Sequence, residues 1–359
     1  MKLITITGTR PQFIKAGMLS KLFRAMSAID EIIVNTGQHY DDNMSTVFID
    51  QLQLPAPDYD LGIGSGSHGK QTAGMLTKLE DVMMAVKPDM VLVYGDTNST
   101  LAGSLAASKL HIPVAHVEAG LRSFNKKMPE EINRIVADHV SDWLFCPSET
   151  AVSNLRREGI EKGVYRTGDI MYDAVVHFKP VALDYSSIRR DLSLRENDYY
   201  LATVHRAENT DDPQRLRSIL EALNQLHKKV VIPMHPRTRR KMDEYQLMGN
   251  IARSSITIVN PLNYFDMLAL TSGARAILTD SGGLQKEAYM LRVPCITLRD
   301  ETEWPETVHA GWNQLTGADT QKIADTLQAL QVPNEHPPLF GDGKAARTIA
   351  EILIKECST

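Results

Sequence analysis

Val91-Leu-Val-Tyr-Gly-Asp-Thr-Asn-Ser-Thr100, Pro113-Val-Ala-His-Val-Glu-Ala-Gly-Leu-Arg122 and Pro129-Glu-Glu-Ile-Asn-Arg134 decide how the chain is read. The first two segments each hold a short apolar run that ends in a carboxylate beside glycine, Asp96 and Glu118. Runs of that length without alternation read as parallel strands buried on both faces. In an open α/β sheet, ligands collect outside the carboxyl ends of the strands, so both acids point at one crevice. Pro129 suits the first turn of a helix and brings Glu130 and Glu131 to the same region. Carboxylates converging without a metal-ligand pattern point to proton transfer. The bland reading, an acidic rim with capping roles, fits any one acid better than it fits the set.

Composition bounds the rest. A chain of 359 residues is longer than an ordinary domain, so two domains sharing a crevice are expected. A net charge of -5 gives no general attraction to nucleic acid or anionic membranes. Cys146, Cys295 and Cys357 are odd in number and far apart, which fits a reducing cytoplasm and not a disulfide framework. No apolar run approaches the length of a membrane span, and no secretory signal precedes the first strand.

Outward from the central stretch, strand and helix alternate. Residues 2–7 read as a strand and 8–11 as a tight turn. Phe13, Ile14, Met18, Leu19 and Leu22 form one face of the following helix. Residues 32–35 are the second strand, and 62–69 a glycine-rich loop that lacks the strand and Lys-Ser/Thr of a phosphate loop. Helices are expected at 70–86, 99–110 and 130–142, and a strand at 144–146. The first unit closes near Thr167-Gly168-Asp169, giving an N-terminal Rossmann-like domain over 1–170. Residues 180–197 read as polar and irregular. Strands at 200–204, 230–233, 256–259, 276–279 and 295–298 then build a second doubly wound sheet over 171–343. A last helix within 344–359 is expected to pack back on the first domain.

The second half has its own ligand signature. Leu278-Thr-Asp-Ser-Gly-Gly-Leu-Gln-Lys-Glu287 reads strand, glycine turn, helix. Glycines allow close backbone approach, and a helix N-terminus presents unpaired amides to an anion such as a diphosphate. Glu287, further along, can accept hydrogen bonds from a ribose diol. His205 and His235 both close strands, and their equivalent places shift the reading from structural histidines toward ligand contact.

These segments, with Gly8-Thr-Arg-Pro-Gln-Phe-Ile-Lys15, His205-Arg-Ala-Glu-Asn209 and Phe340-Gly-Asp-Gly343, resemble the non-hydrolysing UDP-N-acetylglucosamine 2-epimerases. The resemblance spans nearly the whole chain. It implies a GT-B fold, two Rossmann-like doubly wound domains facing a central cleft, in a cytoplasmic homodimer that feeds polysaccharide synthesis. It also implies interconversion of UDP-GlcNAc and UDP-ManNAc without cofactor or metal. By motif match it assigns Asp96, Glu118 and Glu130 to acid/base work and His205 to the departing diphosphate. Arg10, Lys15, His235, Ser281, Gly282, Gly283 and Glu287 would hold UDP or balance its charge, with the C-terminal domain binding UDP.

Two segments depart from the family pattern. Thr302-Glu-Trp-Pro-Glu306 carries Trp304 where bacterial members place an arginine, so Arg10 and Arg299 would have to supply the positive charge. Gln38-His-Tyr-Asp-Asp-Asn-Met44 departs from the bacterial allosteric region, which argues against activation by a second UDP-GlcNAc. Trp304 and Arg122-Ser-Phe-Asn125 also resemble the branch acting on UDP-2,3-diacetamido-glucuronate, whose C6 carboxylate would need Arg122 or Lys126-Lys127 as a partner. A GT-B glycosyltransferase is the more distant alternative.

Overall fold

The computed structural model describes residues 1–38, 56–250 and 255–356. His39 to Met44 and Cys357 lie outside them, and so do the readings made on those residues. The chain divides into two compact units, Met1–Ala174 with Pro338–Thr359, and Val175–Pro337.

Unit 1 is built on a parallel sheet of β1 (Lys2–Thr7), β2 (Asp30–Asn35), β3 (Tyr59–Asp60), β4 (Met90–Tyr94), β5 (Val114–Val117), β6 (Trp143–Cys146) and β7 (Val164–Arg166). Its order is β3-β2-β1-β4-β5-β6-β7, so the winding reverses between β1 and β4. Every residue of β4 and β5 is buried, as two-sided apolar strands require. The helices are α1 (Arg10–Ala25), α2 (His68–Val86), α3 (Asn98–Lys109), α4 (Pro129–Val140), α5 (Glu149–Arg157) and α6 (Ile170–Tyr185), the last running into unit 2. One face of the sheet packs Ile6, Val91 and Val93 against Met75, Leu79, Ala102 and Ala106. Gly103 lets α3 sit close, since a Cβ there would lie 2.6 Å from Ile6 Cδ1. The other face packs Leu92 and Phe145 with Leu19 and Phe23.

Unit 2 repeats the plan with α7 (Ile188–Asp191), β8 (Tyr199–Thr203), α8 (Ala207–Thr210), α9 (Pro213–Asn224), β9 (Lys229–Pro233), α10 (Pro236–Glu244) and β10 (Ile256–Val259). It continues through α11 (Tyr264–Gly273), β11 (Ala276–Thr279), α12 (Gly282–Met290), β12 (Cys295–Thr297), α13 (Pro305–His309), β13 (Asn313–Leu315) and α14 (Thr320–Gln328). The strand order is β10-β9-β8-β11-β12-β13, all parallel, reversing between β8 and β11. The final helix, α15 (Ala345–Glu356), belongs to unit 1, where Ala346, Ile349 and Leu353 join the core of Leu19 and Phe23. Fully burying side chains of this size contributes about 1.5–3 kcal/mol each.

The two doubly wound sheets match the fold class read from the sequence. The stretch 180–197 does not match: α6 continues to Tyr185 through Pro180, and α7 follows. Tertiary packing explains the continuation, because Ala182 is fully buried and Phe178 packs edge-on against Tyr264. The edge strands β3, β7 and β13, two or three residues each, carry no periodicity and exist through pairing with β2, β6 and β12.

Candidate active site

In unit 1 the acids stand at the carboxyl ends of β4 and β5, which are hydrogen-bonded neighbours. The turn after β4 uses Gly95 at φ +63, and Asp96 follows it. Arg134 grips the Asp96 carboxylate through Nε (3.0 Å) and Nη2 (2.6 Å), while Asn133 Nδ2 donates to the Asp96 carbonyl at 2.9 Å. Both partners come from α4, one turn behind its acidic N-terminus. The Glu118 carboxylate is paired with the buried Lys15 ammonium from α1. Gly95 lies beside that pair, a Cβ there standing at ordinary contact distance, 3.5 Å, from Lys15 Nζ. α1 is itself tied to the β4 end, because Gln12 Nε2 donates to Tyr94 O at 2.8 Å and to Thr97 Oγ1 at 2.9 Å. Each of these two acids is thus matched with its own cation.

Glu130 and Glu131 occupy the first turn of α4, but their surroundings differ. Glu130 is half-buried. Glu131 is buried and accepts from the Ser123 and Phe124 amides, both at 2.9 Å, and from Arg134 Nη1 at 2.8 Å. Against the burial that would raise it, those amides and the guanidinium hold its carboxyl below the ordinary value. Glu131 therefore clamps the 123–124 loop. Arg122 is also committed: it donates to Asp138 at 2.7 Å and, through Nε and Nη2, to both Glu158 oxygens at 2.7 Å. That removes it as a partner for a sugar carboxylate. Lys126 and Lys127 remain exposed.

In unit 2 the glycine turn caps α12: Ser281 Oγ accepts from the Leu284 amide at 3.4 Å. Gly282 is buried and Gly283 exposed, with Glu287 half-buried further along the helix. A Cβ on Gly282 would lie 3.2 Å from Glu303 Oε2. Trp304, 4% exposed, donates its indole N–H to the Gly282 carbonyl at 2.9 Å, and Lys286 Nζ sits 4.6 Å over its ring. The tryptophan thus braces the turn from beneath. Arg299 is bound by both Glu303 oxygens at 2.9 and 3.1 Å, so its charge is already balanced.

His205 follows β8 and His235 caps α10 after β9, with ring centres 5.5 Å apart. Asp280, fully buried after β11, accepts from the His205 and Arg206 amides at 3.0 Å and from Asn209 Nδ2 at 3.1 Å. Loss of water around the His205 ring lowers its pKa; Asp280 opposes that, while Arg206, His235 and Arg237 reinforce it. Asp280, Arg134, Asn133 and Gln12 were left without a role in the sequence reading. All four lie in or beside the quoted motifs, but their partners are 71–85 residues away for Asp280 and Gln12 and 35–38 for the α4 pair.

Residues 21–354 match the family model described as UDP-N-acetylglucosamine 2-epimerase. A "UDP-N-acetylglucosamine 2-epimerase homolog" from Methanococcus maripaludis is 49% identical over 98% of this chain and 99% of its own. A UDP-2,3-diacetamido-2,3-dideoxy-D-glucuronate 2-epimerase from Pseudomonas aeruginosa is 48% identical over 99% and 100%. Among solved structures, the Methanocaldococcus jannaschii UDP-GlcNAc 2-epimerase in complex with UDP-GlcNAc and UDP superposes with a TM-score of 0.91 at 44% identity, covering 99% of this chain and all of that one. With a family model matching over residues 21–354 and relatives near half identical over almost the whole chain, the chain belongs to the UDP-N-acetylglucosamine 2-epimerase family.

Proposed function

We propose that the protein interconverts UDP-GlcNAc and UDP-ManNAc. A carboxylate of unit 1 takes the C2 proton as the C1–oxygen bond to UDP breaks, leaving 2-acetamidoglucal and UDP. UDP then adds back while a second acid returns a proton to the opposite face of C2. Asp96, Glu118 and Glu130 are the proton carriers, and Lys15 balances charge beside Glu118. Arg10, His205, His235, Ser281, Gly282, Gly283 and Glu287 hold the nucleotide, His205 assisting diphosphate departure. The observation that carries the reading is the pair of strand-end acids Asp96 and Glu118, each held by its own cation.

A second substrate, UDP-2,3-diacetamido-2,3-dideoxyglucuronate, is favoured by the Pseudomonas aeruginosa relative and by Trp304 at the nucleotide turn. Incubation with each UDP-sugar in deuterated water tests both readings. Epimerisation of UDP-GlcNAc with deuterium at C2 and UDP retained is the expected outcome. A kcat/KM preference for the uronic acid beyond about a hundredfold, roughly 2.7 kcal/mol, would reassign the substrate. Free sugar plus UDP would mean hydrolysis.

We also assign the protein to the cytoplasm, in polysaccharide synthesis, consistent with two free buried cysteines, Cys146 and Cys295. Its partner is a second copy of the chain. An apolar groove of about 540 Å³ in unit 1, flanked by Leu76, Leu101, Pro129 and the half-exposed Ile132, offers a surface for it.

A further inference from the structure

Beneath the two strand-end acids lies a buried group that the reaction does not use directly. His116, on β5, is completely buried, and both ring nitrogens face oxygen: Nδ1 is 2.7 Å from Asp138 Oδ1, and Nε2 is 2.7 Å from the Gly95 carbonyl. A carbonyl oxygen only accepts, so Nε2 must carry a proton. Asp138 is buried as well; despite the burial that would raise it, the His116 and Arg122 contacts hold its carboxyl below the ordinary value. An ionised carboxylate also only accepts, so Nδ1 carries a proton too. The ring is therefore an imidazolium, buried from solvent. Its charge is balanced locally, since His116 and Arg122 face Asp138 and Glu158. Cys146 on β6, its thiol pushed up by burial, stays uncharged, and His139 stands 3.9 Å from the outer Glu158.

The contacts made by this network are with the two turns that carry the acids. Through Nε2, His116 holds the carbonyl of Gly95, the residue that precedes Asp96. Through Oδ2, Asp138 accepts from the Gly120 amide at 3.1 Å, two residues after Glu118. Between these contacts Glu118 itself sits at φ +71, a conformation that costs a non-glycine residue and persists only where its surroundings hold it. We propose that His116 is a positioning residue: donating from both ring nitrogens, it sets, with Asp138, the relative geometry of Asp96 and Glu118. This rests on the epimerase reading above.

Nitrogen-15 NMR of histidine-labelled full-length protein at pH 8 tests the charge, well above the ordinary histidine value of about 6.5. Among the described histidines His116 alone is fully buried, so its ring N–H protons are recognised by slow exchange. Two protonated nitrogens are expected; one bare nitrogen would overturn the proposal. His116→Gln should then lower kcat by about a hundredfold, the cost of a displacement near 1 Å, with KM and UDP affinity within twofold. His116→Gln combined with Asp138→Asn restores neutral hydrogen-bond partners across the pair and should recover part of that loss. Unchanged kcat in His116→Gln, or KM and UDP affinity lost in step with kcat and no recovery in the double variant, would overturn it. Inactivity of the wild-type protein on both UDP-sugars would instead overturn the functional reading, which the NMR result does not depend on.

Discussion

Glu118 stands on a left-handed backbone, at φ +71, which costs a non-glycine residue roughly 1–2 kcal/mol. The conformation holds because the Glu118 and Ala119 amides both donate to the Phe145 carbonyl at 3.1 Å. Strain kept at a residue with an ion-paired carboxylate suits the proton-carrying role proposed for Glu118, which calls for an acid aimed in advance. Asp96 is aimed differently, by the two-pronged grip of Arg134. Asp96→Asn and Glu118→Gln keep shape and hydrogen-bonding oxygen while removing the proton-carrying group. Each should reduce turnover by 10²-fold or more, the usual range for acid/base residues, with UDP affinity unchanged by calorimetry. Losses near twofold would remove that residue from the proton-transfer step.

At the scale of elements, the strand-to-helix turns do most of the positioning. In both sheets residues proposed for the site follow the strands on either side of the reversal, Arg10 after β1 and Asp96 after β4, His205 after β8 and Ser281 after β11, with Glu118 after β5 and His235 after β9 one strand further out. Another junction involves α6 and α15. The Asp173 carboxylate on α6 accepts from the Ala345 and Ala346 amides, at 3.0 and 2.8 Å, at the start of α15. Burial pushes its pKa up to about 6, outweighing those amides, which pull it down. A carboxyl raised in the folded state binds more protons folded than unfolded, so its contribution to stability falls as pH rises from about 4 to 6. Thermal melts of wild type and Asp173→Asn across that window should therefore diverge, the wild type losing ground relative to the variant as pH rises. A difference independent of pH would mean that Asp173 is ionised throughout.

For the whole molecule, the contents of the two units differ in kind. The residues proposed for the site are paired carboxylates in unit 1, Asp96 and Glu118, and in unit 2 a capped glycine turn and two neighbouring histidines. No helix among the described residues is long and apolar enough to cross a membrane. Ile132 is 48% exposed on α4, the helix that also supplies Asn133 and Arg134 to Asp96. If that face meets a second copy, Ile132→Glu removes the burial of a half-exposed side chain, about 0.7–1.5 kcal/mol from each protomer, or roughly one to two decades in the dimer constant. Light scattering at micromolar concentration should show a dimer for wild type and a shift to monomer for the variant. A monomeric wild type would exclude this interface.

Much of this was legible in the residues alone. Apolar runs at 91–94 and 114–117, the second interrupted only by His116, read as buried parallel strands, and glycine next to an acid at their ends marks the turns, so the central strands and the candidate acids Asp96 and Glu118 followed from local pattern. The helix through Pro180 and the edge strands did not follow, because each is held by partners distant in sequence and not by its own propensity. Nor could residue type separate Glu130 from Glu131, or Arg122 from a ligand-binding arginine. Those distinctions depend on which amides and carboxylates the fold brings within 3 Å, and adjacent residues with the same chemistry received different partners. His116 is the extreme case: the sequence shows one histidine in an apolar strand, and only the two oxygens gathered around its ring give it a charge.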